Sequence, residues 1–363
     1  MGKKKILAIA CMPFYHEKGS SLRLYSILKI LSKKYDIDLV TYSLGEDVDI
    51  ENVRIFRTCR FFKPPVGVSK PSFAKIVLDI LVFFKSLKLI LFSSKKYSVV
   101  HCEDFEAVLI GSVLKKVFRK KIVYALHNRV VHNWEISGRK MPKFISSLEK
   151  RVISSSDLII ANWKMYLTDP VFKGKKIFLH YDSVDTKIKK CDLPFKKYFF
   201  YSGNFEKYQG IFDFLRVYKA SGSDVPVVLA GEPNEEVVDF VKKNDLSKKI
   251  VFVGKKSVEE TNFLIKNSFC CLLPRVSGIQ PSMKMIHYLI WEKPVIAKNI
   301  SCNTELIKDG YNGFLYGNDP EFQKILVEIK GKGQIRSLEK GLQETRTEIQ
   351  KLVDKNRFLD KYI

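Results

Sequence analysis

Two cationic side chains and an imidazole lie close together in one stretch of the sequence, PRVSGIQPSMKMIHYLIWEKPVIA. Arg275 ends a predicted strand, and Lys284 and His287, three residues apart, share one face of the helix predicted to follow. Gly278 loosens the loop between strand and helix. A diphosphate at this helix start would meet free N–H groups, Lys284 and Arg275, while His287 would reach ribose hydroxyls. The alternative is a solvated basic helix face.

Other candidate residues follow predicted strands. Gly19 and two serines open a helix after the first strand, either as an anion site or as an ordinary N-cap. His127 ends the strand KIVYALH, where a neutral imidazole can donate to a sugar hydroxyl or cap the next helix. Gly203 closes a later strand, and the loop from Gly203 to Gly210 is a candidate phosphate cradle.

Short apolar runs alternate with helical periodicity along the chain, which predicts parallel sheets covered by helices. Two series of βα units predict an α/β fold of two Rossmann-like domains facing across a cleft, with C-terminal helices. The predicted domains are 1–185, 196–336 and a helical tail at 337–363. The predicted strands are 5–12, 37–43, 52–58, 97–102, 121–127, 158–163 and 176–181, then 198–204, 225–231, 250–254, 269–275, 294–299 and 313–316.

Positive charge is concentrated in the first half of this 363-residue chain, whose formal net charge is +24. Residues 1–190 contain 36 Lys and Arg against 17 Asp and Glu, whereas the remainder contains 27 against 22. Such a field attracts a polyanion, either nucleic acid or an anionic membrane surface, unless it only reflects general lysine richness. Because no nucleic-acid-binding module is recognisable, we expect no nucleic-acid partner.

One predicted helix, residues 73–92, is mostly apolar but contains Asp79, Lys85 and Lys88, which argue against a membrane span. It is either a core helix or an interfacial amphipathic helix, and the flanking RFFKPP and Lys95 favour the interface. The first apolar run, ILAIAC, is too short for a signal peptide, so a cytoplasmic protein, peripheral on the inner face of the cell membrane, is expected. No D-x-D pair is placed where a catalytic metal would need one, and no cysteine spacing predicts a metal site.

Several segments in order, among them SVVHCEDFEAVLIG, YALHN, YSGNFEKYQGIFDFL, IVFVGKKSVEE, LLPRVSGIQPSMKMIHYLIWEKPVIA and TELIKDGYNGFLY, resemble GT-B glycosyltransferases. The closest type is retaining glycosyltransferase family four, and the resemblance covers about residues 3–320. It implies transfer of a sugar from a UDP- or GDP-linked donor, bound mainly by 196–336, to an acceptor bound by 1–185. It further implies that Gly19, His127 and Glu305 contribute to the donor site.

The sequence also departs from the family pattern. Asn204 and Gln209 occupy the places of a diphosphate-binding arginine and lysine, while Ile279 and His287 occupy those of two glutamates. Either Arg275 and Lys284 have taken over the phosphates, as expected here, or the protein is a non-catalytic GT-B-like partner subunit at the membrane.

The expected function is therefore that of a glycosyltransferase acting with retention, without metal and without a cofactor other than its donor substrate. The expected acceptor is a lipid-linked or cell-envelope glycan in polysaccharide biosynthesis. A sugar-nucleotide epimerase is an alternative that would require more acid and base residues in the cleft.

Overall fold

The structure is a computed structural model that describes residues 3–15, 19–59, 72–94, 96–136, 140–181, 184–193, 195–278, 281–329, 332–354, 358–359 and 362. The chain forms two compact units. The first is Met1–Ser183 together with Asp354–Ile363, and the second is Val184–Val353.

The first unit is built on a sheet of parallel strands. They are β1 (Lys4–Ala10), β2 (Tyr35–Thr41), β3 (Val53–Arg57), β4 (Tyr97–Glu103), β5 (Lys121–Leu126), β6 (Leu158–Ala161) and β7 (Ile177–Leu179). Their order across the sheet is β3-β2-β1-β4-β5-β6-β7. The central strands are buried along nearly their whole length, which requires helices on both faces of the sheet. Those helices are α1 (Gly19–Leu31), α2 (Phe73–Phe92), α3 (Asp104–Phe118), α4 (Val130–Ile136) and α5 (Lys143–Ser155).

The second unit repeats the arrangement. Its parallel strands are β8 (Phe199–Ser202), β9 (Val227–Ala230), β10 (Ile250–Gly254), β11 (Cys270–Leu273), β12 (Val295–Lys298) and β13 (Gly313–Tyr316), in the order β10-β9-β8-β11-β12-β13. Its helices are α6 (Ile211–Ser221), α7 (Glu235–Lys243), α8 (Val258–Asn267), α9 (Met283–Ile290), α10 (Ser301–Thr304), α11 (Asp319–Glu328), α12 (Lys332–Arg336) and α13 (Glu339–Leu352).

Both sheets therefore have the Rossmann strand order, which reverses between β1 and β4 in one unit and between β8 and β11 in the other. Each predicted strand overlaps an observed one, and the predicted α/β fold of two Rossmann-like domains is confirmed. In open α/β sheets, ligands bind beyond the carboxyl ends of the strands where the order reverses. The residues that follow β1, β4, β8 and β11 are therefore the expected ligand-binding positions.

The structure adds detail to two sequence expectations about helices. The helix predicted after Gly278 starts at Met283, where the Ser282 side chain accepts a hydrogen bond from the Met285 N–H and caps it. The tail was expected to form one or two surface helices, but Phe358 and Tyr362 are 1% and 3% exposed and belong to the core of the first unit. Their aromatic side chains gain more from burial than a solvated helix could offer.

Candidate functional site

Gly203 follows β8 at the point where strand order reverses in the second unit. Its N–H donates to the Ala230 carbonyl over 3.0 Å, and its φ of 141° is readily adopted only by glycine. A side chain at position 203 would overlap the amino group of Lys284. Glycine therefore allows the lysine to approach the end of the strand.

Lys284 lies in the first turn of α9 and is held by two polar side chains. Its Nζ donates to Tyr201 Oη over 3.0 Å and to Gln209 Oε1 over 3.1 Å. The same nitrogen lies 4.1 Å from the centre of the Tyr201 ring, within range of a cation–π interaction. These contacts fix the ammonium group at the carboxyl edge of the sheet, beside the N-terminus of α9.

The charge of Lys284 is unfavourable in the unliganded site. Burial, reinforced by repulsion from Arg275, lowers the pKa of Lys284 to about 7. Two cations are thus directed to one place, and a bound anion would offset both burial and mutual repulsion. Such an arrangement suits a polyphosphate ligand.

Arg275 lies two residues beyond β11 and is oriented by its own loop. Its Nε donates to the Ser277 carbonyl over 2.7 Å, and its guanidinium carbon lies 5.7 Å from the centre of the Tyr208 ring. Gly278 has a φ of 156°, and a side chain there would overlap the guanidinium. The sequence predicted only that Gly278 loosens the loop. In the structure, the absence of a side chain at Gly278 also leaves room for the Arg275 guanidinium.

His287 lies one turn further along α9 and is half-buried. Burial lowers its pKa to about 4, although Asp185 acts in the opposite direction. The imidazole is therefore neutral near pH 7 and can both donate and accept a hydrogen bond. The buried Asn262 side chain donates to the carbonyls of Asp185 and Lys187 over 2.6 and 2.9 Å, which fixes this segment near His287.

The remaining candidate residues of the second unit differ in position. Gln209 is buried and accepts from Lys284, whereas Asn204 is exposed and lies 3.4 Å from Tyr208 Oη. Glu305 directly follows α10. Arg275 lowers and Glu305 raises the pKa of the Cys302 thiol, so both side chains lie near Cys302. Ile279 lies outside the described residues.

In the first unit, Glu103 ends β4 and has no exposed surface. His101 Nε2 lies 2.7 Å from its Oε1, and His127 Nε2 lies 2.7 Å from its Oε2. Burial opposes ionisation, but hydrogen bonds from both histidines hold the pKa of Glu103 far below its usual value. A carboxylate can only accept, so each histidine donates its Nε2–H to Glu103, and Nδ1 is the second ring nitrogen of His127.

The charge on His127 is set by its surroundings. Burial lowers its pKa, but Asp104 and Glu103 outweigh burial and the opposing Arg23, so the net shift is upward. The backbone N–H of His127 donates to Asp104 Oδ1 over 3.2 Å. Gly19 is the first residue of α1, and Arg23, four residues further along that helix, is buried.

Sequence reasoning missed Glu103, which connects the two histidines. The signal was available, since His101 and Glu103 are two residues apart on a strand and therefore face the same side of the sheet. Tyr201 and Asn262 were also missed, and no motif marks them. Among the described residues, no group of three or more His, Cys, Asp or Glu side chains is arranged to hold a metal ion.

Residues 185–329, which contain the Lys284 site, match the family model "Glycosyl transferases group 1". An uncharacterized glycosyltransferase of Methanocaldococcus jannaschii is 24% identical over 324 residues, which cover 88% of this chain and 86% of that protein.

Solved structures share the fold over nearly the whole chain. HepE of Anabaena, solved with UDP and in a further structure with UDP-glucose, superposes on 98% of this chain and 98% of its own with a TM-score of 0.73 and 15% identity in the UDP complex. Sucrose-phosphate synthase of Thermosynechococcus elongatus superposes on 99% of this chain and 98% of its own, with a TM-score of 0.74 and 15% identity.

Proposed function

We propose that this chain, a GT-B glycosyltransferase, moves a sugar from a UDP- or GDP-linked donor bound by its second unit to a lipid-linked or cell-envelope glycan in polysaccharide biosynthesis. The observation that carries the proposal is the convergence of Lys284 and Arg275 where strand order reverses. Binding of UDP and UDP-glucose by Anabaena HepE is consistent with a nucleotide sugar as donor.

Cleavage of the bond between the anomeric carbon and the diphosphate leaves negative charge on the leaving group. Lys284, Arg275 and the N-terminus of α9 are fixed positive groups that would stabilise this charge without reorganising. This electrostatic arrangement supports transfer without a bound metal. We further propose retention of configuration, with the leaving phosphate accepting the acceptor's proton, as the resemblance to family four implies.

Gln209 supports the assignment of Lys284 to the diphosphate. It occupies the place where the resemblance expects a phosphate-binding cation, yet it accepts a hydrogen bond from Lys284 Nζ. We propose that Lys284, from α9, takes over the phosphates and that Gln209 orients its amino group. His287, neutral at physiological pH, would bind ribose hydroxyls from the same helix.

The first unit would supply the acceptor site and His127. With Nε2–H committed to Glu103, Nδ1 of His127 can share a hydrogen bond with a hydroxyl of the transferred sugar. The upward pKa shift favours the protonated imidazole, whose positive charge would stabilise negative charge that develops on oxygen. His127 would thus act on turnover rather than on nucleotide binding.

Helix α2 supports a membrane-facing role for the first unit. Only Leu78, Val82 and Ser86 of this helix are fully buried, so it is not a helix buried all round. A stripe of apolar side chains at helical spacing is exposed, namely Phe73 (81%), Ile76 (57%), Ile80 (49%), Phe84 (59%), Leu91 (57%) and Phe92 (79%). Among the described residues, no helix is long and apolar enough to span a membrane.

Positive charge accompanies the apolar stripe. Lys88 is exposed within it, and α3, which packs against α2, exposes Val113, Val117 and Lys116. Apolar side chains interleaved with lysines suit the boundary of an anionic lipid surface. We therefore propose a peripheral protein on the inner face of the cell membrane, where lipid-linked acceptors are found. The flanking residues 60–65 and Lys95 lie outside the described part.

The second candidate function is that of a non-catalytic partner subunit at the membrane. It is favoured by one observation, the absence of the expected cations and glutamates at Asn204, Gln209 and His287. A thermal-shift screen of UDP, GDP and their sugars, followed by assay of nucleoside diphosphate release with chelator present, separates the two. Stabilisation and release support the transferase, whereas neither response to any donor would support the partner subunit.

A further inference from the structure

Tyr362 belongs to the segment Asp354–Ile363, which returns to the first unit after α13. Its side chain is 3% exposed and packs among aromatic rings. The ring centres of Tyr35, His101 and Phe358 lie 6.1, 5.7 and 5.5 Å from that of Tyr362. These neighbouring rings hold the Tyr362 ring in place and so set the direction of the Tyr362 hydroxyl.

The Tyr362 hydroxyl is hydrogen-bonded to Nδ1 of His101. Burial and the neighbouring Glu103 raise the Tyr362 pKa well above its usual value, so the hydroxyl keeps its proton. His101 donates its Nε2–H to Glu103, and its Nδ1 accepts the Tyr362 O–H. The bonds then run in one direction, from Tyr362 through His101 to the Glu103 carboxylate, which also binds His127.

We propose that Tyr362 is a positioning residue for His127, acting through His101 and Glu103. The hydroxyl fixes the orientation of the His101 ring, the ring fixes one oxygen of Glu103, and the other oxygen fixes the His127 imidazole. Each link is buried, and a buried polar chain retains one arrangement only when every member is satisfied. This inference rests on the proposed function, since it assigns Tyr362 to the reaction only if His127 takes part in it.

The test uses Tyr362→Phe in the full chain, which keeps the ring and removes the hydroxyl. Tyr218→Phe is the matched control, because Tyr218 is equally buried and its hydroxyl donates to the Val225 carbonyl over 2.8 Å, within the other unit. Both variants lose one buried hydrogen bond, so comparable decreases in Tm are expected.

The first readout needs no substrate. In protein labelled with ¹⁵N-histidine, with His127 and His101 signals assigned from His127→Ala and His101→Ala, Tyr362→Phe should move the ring-nitrogen resonances of both residues. Tyr218→Phe should move neither. An unmoved His127 signal in Tyr362→Phe would overturn the inference whatever the enzyme's activity.

The second readout is turnover of UDP-glucose or GDP-mannose, whichever the wild-type protein consumes. Tyr362→Phe should lower kcat about three- to tenfold, the factor expected for one neutral hydrogen bond, and leave KM for the donor unchanged. In a His127→Ala background it should have no further effect. An equal loss in both backgrounds, or an equal loss from Tyr218→Phe, would show a merely structural role. If His127→Ala retains wild-type kcat, the role proposed for His127 fails instead.

Discussion

Lys284 Nζ lies 3.1 Å from Oε1 of Gln209. The resemblance predicts a cation at position 209, and the Gln209 amide found there instead accepts a hydrogen bond from the ammonium group of Lys284, which belongs to α9. The diphosphate binding proposed for this place would depend on the charge of Lys284, which burial and the neighbouring Arg275 make unfavourable.

Affinity for UDP-glucose should therefore fall as pH rises above the Lys284 pKa of about 7. The diphosphate favours the ammonium form and raises this pKa in the complex, so binding takes up a proton between the free and bound pKa values. The dissociation constant should rise by up to about tenfold per pH unit in that window and level off below it. His287, with a pKa of about 4, is already neutral there.

Calorimetric titrations at pH values on both sides of 7 measure this dependence, and buffers of different ionisation enthalpy reveal the proton uptake. Lys284→Arg is the control, because arginine keeps its charge throughout the range and should flatten the profile. A wild-type profile that is equally flat would remove Lys284 from the diphosphate site.

Gly203→Ala should weaken nucleotide binding, since the added methyl group would displace the amino group of Lys284. Gly222→Ala is the control, because Gly222 also has a positive φ, of 63°, but nothing lies within 4 Å of an added Cβ. Both variants should lose stability through backbone strain of about 1–2 kcal/mol. Only Gly203→Ala should lose affinity for UDP-glucose, and equal affinities in the two variants would count against the geometry at Gly203.

The sequence predicted the strands well because apolar runs and turns are local signals. It also placed Lys284 and His287 on one helix face correctly, since that follows from helical spacing alone.

Long-range contacts were beyond local reasoning. Gln209 and Lys284 are 75 residues apart, and Tyr362 and His101 are 261 apart. No periodicity reports such pairs, because they are set by the order of strands and by the return of the tail to the first unit. The role of Glu103 was in principle accessible from the alternation along β4, but its second histidine comes from β5's carboxyl end.

His127→Ala should reduce kcat by roughly 10²-fold, the usual cost of removing one preorganised group that acts on developing charge. Nucleotide affinity should stay unchanged, because the residues proposed to bind the diphosphate belong to the second unit. Steady-state kinetics with calorimetry for UDP, which lacks the sugar, separate the two effects, and Tm must be measured alongside because Glu103 loses a partner. A loss of affinity with unchanged kcat would contradict this division of roles.

Phe84→Glu and Lys88→Glu should each weaken binding to anionic vesicles, the first by removing apolar contact and the second by reversing a charge. A lysine near an anionic surface contributes on the order of 1 kcal/mol, so Lys88→Glu should lower partitioning about fivefold or more at low salt. Val258→Glu, which replaces an exposed apolar residue of the second unit, is the control. Sedimentation with phosphatidylglycerol and phosphatidylcholine vesicles measures how much of each protein partitions onto anionic and onto neutral membranes. Equal partitioning of all three variants and the wild type would leave α2 without a membrane role.

The role of Lys284 in donor binding is tested most directly by calorimetric titration of UDP-glucose and GDP-mannose into wild-type protein, Lys284→Met and Lys242→Met. Lys284→Met should lose about 1.5–3 kcal/mol of binding free energy, the range for a charged hydrogen bond, without a fall in Tm, since a poorly solvated ammonium is removed. Lys242, exposed at the end of α7, should be dispensable. Loss of affinity in Lys284→Met alone supports a nucleotide-sugar donor held by Lys284, whereas equal affinity in all three proteins, or no binding by the wild type, would contradict it.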